Sequence, residues 1–236
     1  MPTSVPPLLM PFARTTQPQP PRHLGTRYDR RGTFLPEPGN TVVCHLLPDA
    51  PESAAIIALR NRMRSMPRAD LLAFTPVSSL HMTVFQGIIE YRRKPGYWPP
   101  DLDLDTPIPA MTDAMLARLD GFRGCGPFRI KVDEVAPTGL TLSGHGPDDA
   151  AVLKAWRDAF ADVFGYRHPD HDSYRFHITF AYMLDWIPDD DLAAVADALG
   201  GYLEDIRATA PVITLAPPAF CRFADMNHFE ELKVLA

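Results

Sequence analysis

Two short stretches, His81-Met82-Thr83-Val84 and His177-Ile178-Thr179-Phe180, carry one pattern: histidine, apolar residue, threonine, apolar residue. Alternation with a period of two predicts a strand at each, with His and Thr on one face and the apolar pair on the other. Each strand then presents an imidazole and a hydroxyl side by side. With eight His and 46% hydrophobic residues in the chain, chance yields roughly 0.16 such tetrads, so two arise in about one chain in 80.

Working outward from the tetrads, the two halves of the chain follow the same order. A β-branched strand candidate at 41–47 precedes a helix opened by Asp49 and Pro51, where a cap and a first-turn proline cost no hydrogen bond. Ile56, Leu59, Met63 and Met66 recur there at helical spacing. The first tetrad lies in a strand over 78–89, followed by a Pro-rich loop over 92–109, a short helix at 111–119 stopped by Gly121, and a strand at 128–135. The second half begins with a strand at 139–143. Asp148 and Asp149 cap a helix whose stripe is Val152, Trp156, Ala159, Phe160 and Val163, and Gly165 ends it. A strand over 174–183 holds the second tetrad, a helix follows Pro188, and strand-like pieces at 211–215, 220–223 and 231–235 close the chain.

This order predicts an α+β, bilobal duplicated fold: two antiparallel-sheet lobes with outer helices, facing each other across a central cleft. The halves span about 41–135 and 136–236 of a single domain over 25–236. Seven prolines fall within residues 1–24, which read as a disordered Pro-rich arm.

The chain carries 23 Lys plus Arg against 29 Asp plus Glu, a formal net charge of −6. Duplex DNA, held by neutralising phosphates with clustered Lys and Arg, is a poor match for that balance. A small phosphorylated ligand in a cleft is not excluded by it. Cys44, Cys125 and Cys221 are odd in number and widely spaced, without the short spacing of a zinc or redox motif, and point to a reducing compartment. No stretch approaches the roughly 18–20 apolar residues of a membrane span. A cytoplasmic protein with no membrane partner is the expectation, and oligomeric state is unreadable.

Paired imidazoles on facing strands suit attack on a phosphodiester. Nucleophile and leaving oxygen lie on opposite sides of phosphorus, so a base and an acid must stand on opposite sides as well. An imidazole with an unperturbed pKa of about 6.5 serves either task near neutral pH. Threonine hydroxyls donate to non-bridging oxygens, whose charge grows during attack.

The paired tetrads in a duplicated chain resemble the 2H (two-histidine) phosphoesterase superfamily. It includes 2′,5′-RNA ligase-like proteins, plant cyclic phosphodiesterases and nucleotide-binding domains of kinase-anchoring proteins. The resemblance covers roughly residues 40–236, and the lead with Pro38-Gly39-Asn40-Thr41 is closer to an uncharacterised bacterial and fungal branch. It implies a metal-independent site needing no cofactor, with His81 and His177 as acid and base and Thr83 and Thr179 as phosphate anchors. Cyclic phosphodiesterases of this kind carry a phosphate-contacting tyrosine five residues after the second histidine, where this chain has Tyr182. Ligase-like members have arginine there. The first half has Gln86 at the equivalent place. The implied substrate is a cyclic phosphate or phosphodiester on a nucleotide or RNA terminus. Two rival readings stay open: a nucleotide- or RNA-end-binding module without turnover, and a metal-assisted hydrolase.

Arg175 shares strand parity with His177, which fits either a phosphate-attracting side chain in the cleft or a solvated strand-end arginine. Asn40 reads as a turn residue with ligand binding as the alternative, and His45 as a satisfied core histidine with a place in the cleft as the alternative. His168 and His171, beside Asp170 and Asp172, lack the ordered spacing of a metal site and read as a solvated loop. The arginines of the first helix (Arg60, Arg62, Arg64) and Arg68 read as a solvated face that would steer an anion only if it bordered the cleft. Tyr97 and Trp98 are candidates for a base-stacking wall.

Overall fold

The strands that carry the tetrads lie side by side at the middle of one sheet. In a computed structural model that describes residues 7–235, the first half contributes β1 (Gly39–His45), α1 (Pro51–Met63), β2 (Leu72–Phe74), β3 (His81–Ile89), α2 (Ile108–Arg118) and β4 (Ile130–Ala136). The second contributes β5 (Gly139–Gly144), α3 (Pro147–Phe164), β6 (Phe176–Thr179), β7 (Ala181–Met183), α4 (Leu192–Thr209), β8 (Ala219–Phe223) and β9 (Glu230–Val234). The antiparallel order is β4-β5-β6-β3-β1-β8-β9, with β2 and β7 forming a separate pair.

The α+β class and the duplication stand, and the topology shows how the halves interlock. β4, the last strand of the first half, pairs with β5 of the second, and β8 of the second half pairs with β1 of the first, leaving β9 at the edge beyond it. The half-sheets meet where β3 pairs with β6, so the two lobes share one continuous sheet.

Burial follows the strand period. Met82, Val84, Ile178 and Phe180 are fully buried, whereas His81, Thr83 and Thr179 are half-buried and His177 is exposed. Behind the apolar face, α3 presents Trp156, Phe160 and Phe164, whose rings stack in sequence at centroid separations of 5.4 and 5.9 Å. Phe85 of β3 packs on Phe164 at 5.6 Å. Gly165, at φ 77°, ends α3 in the left-handed conformation and donates its N–H to the Ala161 carbonyl, as expected of a C-terminal glycine.

Several expectations are corrected. Residues 7–24 are not a loose arm: Leu9 and Ala13 are fully buried, and Ala13 bridges to Ile187. Short 3-10 turns at Pro7–Phe12 and Arg14–Thr16 let prolines coexist with packing, since neither needs a long run of N–H donors. The rest of the predicted arm, residues 1–6, lies outside the described residues. Asp49 does not cap α1: it has a φ of 61°, and Ala50 is the N-cap, with Pro51 in the first turn. Nor do Asp148 and Asp149 cap α3, whose N-cap is Gly146; Asp149 instead accepts the Arg129 backbone N–H at 2.8 Å. The strand predicted over 174–183 is divided between β6 and β7, which belong to different sheets. The segment 211–215 makes only isolated bridges, Ile213 to Ile130 and Leu215 to Leu46.

Candidate active site

Register places the four tetrad side chains. Met82 pairs with Ile178, and antiparallel pairing about that point sets His81 opposite Thr179 and Thr83 opposite His177. Each histidine therefore sits beside the other half's threonine. The histidines become diagonal neighbours, at a spacing of about 7–8 Å between Cα atoms. All four line one cleft of about 650 Å³.

Both imidazoles are held in the same way. Nδ1 of His81 donates to the Ser79 carbonyl at 2.7 Å, and Nδ1 of His177 donates to the Arg175 carbonyl at 3.0 Å. A carbonyl only accepts, so Nδ1 carries the proton and Nε2 of each ring is free to act. Their surroundings differ. His81 lies on the Phe229 ring at 4.1 Å and beside His45 at 6.2 Å. Burial, with smaller contributions from His45 and His177, holds its pKa down to about 3. That makes His81 a neutral imidazole at pH 7. His177 is open to solvent, with the Tyr174 ring at 6.0 Å.

Tyr182 and Gln86 also line the cleft. Arg27 lies over the Tyr182 ring at 5.3 Å, with its Nη1 3.4 Å from the hydroxyl, and is fixed by the buried Glu37 through Nε at 2.5 Å. Burial raises the Tyr182 pKa, so the phenol stays a hydrogen-bond donor at neutral pH. The side-chain oxygen of Gln86 accepts from Arg92 Nη1 at 3.0 Å.

Other site expectations change. Arg175 does not line the cleft; it is exposed and bonds Glu134 at 2.6 Å, because β6 begins only at Phe176 and its side chain turns toward β4. Asn40 is a strand residue and not a turn residue, wholly buried, whose amide is held by two bonds: Oδ1 accepts the Ile88 N–H at 3.0 Å and Nδ2 donates to Thr112 at 3.1 Å. It secures the frame at the cleft wall, with one of its two amide N–H groups given to Thr112. His45 is half-buried, not a core residue, and bonds Glu231 at 2.9 Å. His168 and His171 are buried, not solvated, and His171 Nε2 lies 2.9 Å from Asp158. Asp158, His171 and Asp172 are close enough to share an ion, but Lys154 and Arg167 already neutralise Asp158. Trp98 is buried and donates to the Asp103 carbonyl at 3.0 Å, so it forms no stacking wall; Tyr97 lies behind Arg92 and also misses the lining. The arginines of α1 pair elsewhere: Arg60 is buried against the Thr75 carbonyl, and Arg62 bonds Asp205. Arg68, beyond the helix, bonds Asp70 and Asp191.

Sequence reasoning missed Arg27, Arg92 and Arg157. The first two come from segments read as loop, where no periodicity marks which side chains turn inward. Arg157 sits on α3, buried, and joins the first tetrad to the segment leading into the second: Nη1 donates to the Val84 carbonyl at 2.7 Å, and the guanidinium lies over the Tyr174 ring at 4.1 Å. Its place on the apolar side of an amphipathic helix, one residue after Trp156, was the available signal.

A family model described as "2H-phosphodiest: Domain of unknown function (DUF1868)" matches residues 27–141, a span that contains the first tetrad and ends before the second. Among solved structures, the chain is similar to a conserved protein of unknown function from Agrobacterium tumefaciens. The two are 51% identical over 98% of this chain and 99% of that one, with a TM-score of 0.95. No curated protein matches.

Proposed function

The chain belongs to the 2H phosphodiesterase family, and we propose that it is a metal-independent phosphoesterase that opens a cyclic phosphate, or cleaves a phosphodiester, on a nucleotide or RNA terminus. The observation that carries this reading is the crossed pairing of the tetrads about Met82 and Ile178. It supplies two imidazoles with free Nε2 atoms on either side of a space that two threonine hydroxyls also border.

In this reading phosphate sits between the strands, with Thr83 and Thr179 donating to its non-bridging oxygens. His81, neutral and desolvated, accepts the proton of the attacking water on Nε2. The water oxygen bonds to phosphorus as the ribose P–O bond opposite breaks, and His177, protonated on Nε2, gives its proton to the departing oxygen. The product is a phosphomonoester. Tyr182 and Arg27 add donors at the side of the phosphate. The donor set suits an anion and not a hard divalent cation, since Glu37, the one carboxylate on the lining among the described residues, is already bound by Arg27.

The test is hydrolysis of the four 2′,3′-cyclic nucleotides with and without EDTA, by wild type, His81→Ala and His177→Ala. The expected result is turnover indifferent to EDTA that falls about 10²–10⁴-fold in each variant. Turnover abolished by EDTA, or tight nucleotide binding with no turnover on any phosphodiester, would overturn it.

A further inference from the structure

One wall of the cleft carries positive charge that the two-histidine chemistry leaves unused. Arg22, Arg27, Arg92, Arg93 and Lys94 line it, in a chain whose net charge is −6. Glu37 answers Arg27, and Glu90 answers Arg93 at 2.7 Å. Among the described residues, Arg22, Arg92 and Lys94 make no ion pair within 4.0 Å. A protein with 29 acidic residues has left this cluster uncompensated.

Arg92 is nonetheless held in place. Its Nη1 donates to the Gln86 side chain at 3.0 Å and its Nη2 to the Gly87 carbonyl at 3.2 Å, while its plane lies 4.8 Å above the Tyr97 ring. Nε is buried with no partner. All of these contacts are to neutral groups, so the guanidinium is oriented without losing its charge. Lys94 lies over the same Tyr97 ring at 4.8 Å. His23 lies among Arg27, Arg22 and Arg92, and burial together with those three cations holds its pKa down to about 4. Arg22, Arg27 and Arg92 therefore converge on His23, and Lys94 shares the Tyr97 ring with Arg92. Partly buried like charges repel in an empty cleft, and an anion seated among them removes that cost.

The position relative to the tetrads is given by β3. Gln86, which holds Arg92, lies three residues beyond Thr83 on the same strand, no more than about 10 Å away at the strand rise. That is the reach of a ribose unit carrying phosphates at both ends.

We infer that Arg92, Arg22 and Lys94 form a second phosphate subsite, and that the substrate carries a phosphate on the 5′ side of the ribose whose 2′ or 3′ phosphate reacts. The inference rests on the phosphoesterase reading above for which phosphate reacts, but not for the existence of the subsite. A mononucleotide 5′-phosphate and the internucleotide phosphate of an RNA end share this chemistry.

Calorimetric binding to wild type separates the cases. The probes are adenosine 3′-phosphate, adenosine 3′,5′-bisphosphate and the dinucleotide ApA 3′-phosphate, none of which is a cyclic substrate. The bisphosphate should bind about tenfold to a hundredfold more tightly than the monophosphate, the range of one or two charge-assisted hydrogen bonds. That ratio should fall to below about threefold in Arg92→Ala and shrink in Lys94→Ala, whose exposed side chain makes misfolding no explanation. Arg92→Lys, which keeps a charge and loses the fork, should retain part of it. If ApA 3′-phosphate matches the bisphosphate, the second phosphate is that of an RNA chain; if it binds like the monophosphate, it is a mononucleotide's. Equal affinity for monophosphate and bisphosphate, a ratio untouched by Arg92→Ala and Lys94→Ala, or no binding of any probe overturns the subsite. The bisphosphate preference without turnover of any cyclic nucleotide would instead sink the hydrolase reading and leave the subsite standing.

Discussion

His81 and His177 make the same bond to a carbonyl two residues earlier, yet one ring is packed on Phe229 and the other faces water. Desolvation penalises the charged imidazole, and the mechanism proposed above therefore gives the buried ring the part of proton acceptor and the exposed ring that of donor. A leaving group of low pKa needs no general acid. On a nitrophenyl phosphodiester, His177→Ala should therefore recover most of its lost rate, while His81→Ala should not; the reverse pattern would exchange the roles. Asn40 makes a different point. Its amide closes the backbone N–H of Ile88 inside the core, and Asn40→Ala leaves that donor unpaired. A loss of about 1–3 kcal/mol is expected in urea unfolding, and a variant as stable as wild type would show that the bond is dispensable.

At the scale of elements, the spacing of strands controls the site. Gly139 opens β5 at φ 144° and pairs with Thr179; a Cβ there would lie 2.0 Å from the Ile178 carbonyl oxygen. Gly139→Ala must push β5 away from the strand that carries the second tetrad. Stability and kcat should fall together, whereas Gly121→Ala, with φ 73° and open space around it, should cost stability alone. Equal effects of the two on kcat would contradict this. Arg157 works at the same scale, tying α3 to the first tetrad through Val84 and to the approach of the second through Tyr174. The helices and most strands that matter here were legible in the chain, because 3.6-residue and two-residue periodicities report which face is buried. The division of 174–183 at Phe180 was not, since both pieces keep the same alternation while pairing in different sheets.

For the whole molecule, three histidines share one consequence. Burial is the largest cause in holding His81 down to about 3 and His23 and His168 down to about 4. Their unfolded forms titrate near 6.5, so the unfolded state binds more protons between these values and stability is lost as pH falls from about 6.5 toward 3–4. His168 sits among Tyr97, Tyr166 and Phe85 at 4.8–5.8 Å. His168→Phe should lessen the drop in urea midpoint between pH 7 and pH 5; an unchanged drop would mean that other groups carry it. No helix among the described residues is long and apolar enough to cross a membrane.

The chain by itself determined the duplication, the α+β class and the four residues of the tetrads. Each is a local matter: periodicity, turn chemistry and a pattern repeated at matched places are properties of neighbours in sequence. Only the tertiary structure decided that β4 joins the second half's strands while β8 and β9 join the first half's, that His81 faces Thr179 across β3 and β6, and that Arg27 and Arg92 reach the cleft while Arg175 does not. Those facts depend on register and on the direction in which irregular segments fold back. Contacts between residues 27 and 182, or 157 and 84, leave no periodic trace in the sequence that forms them.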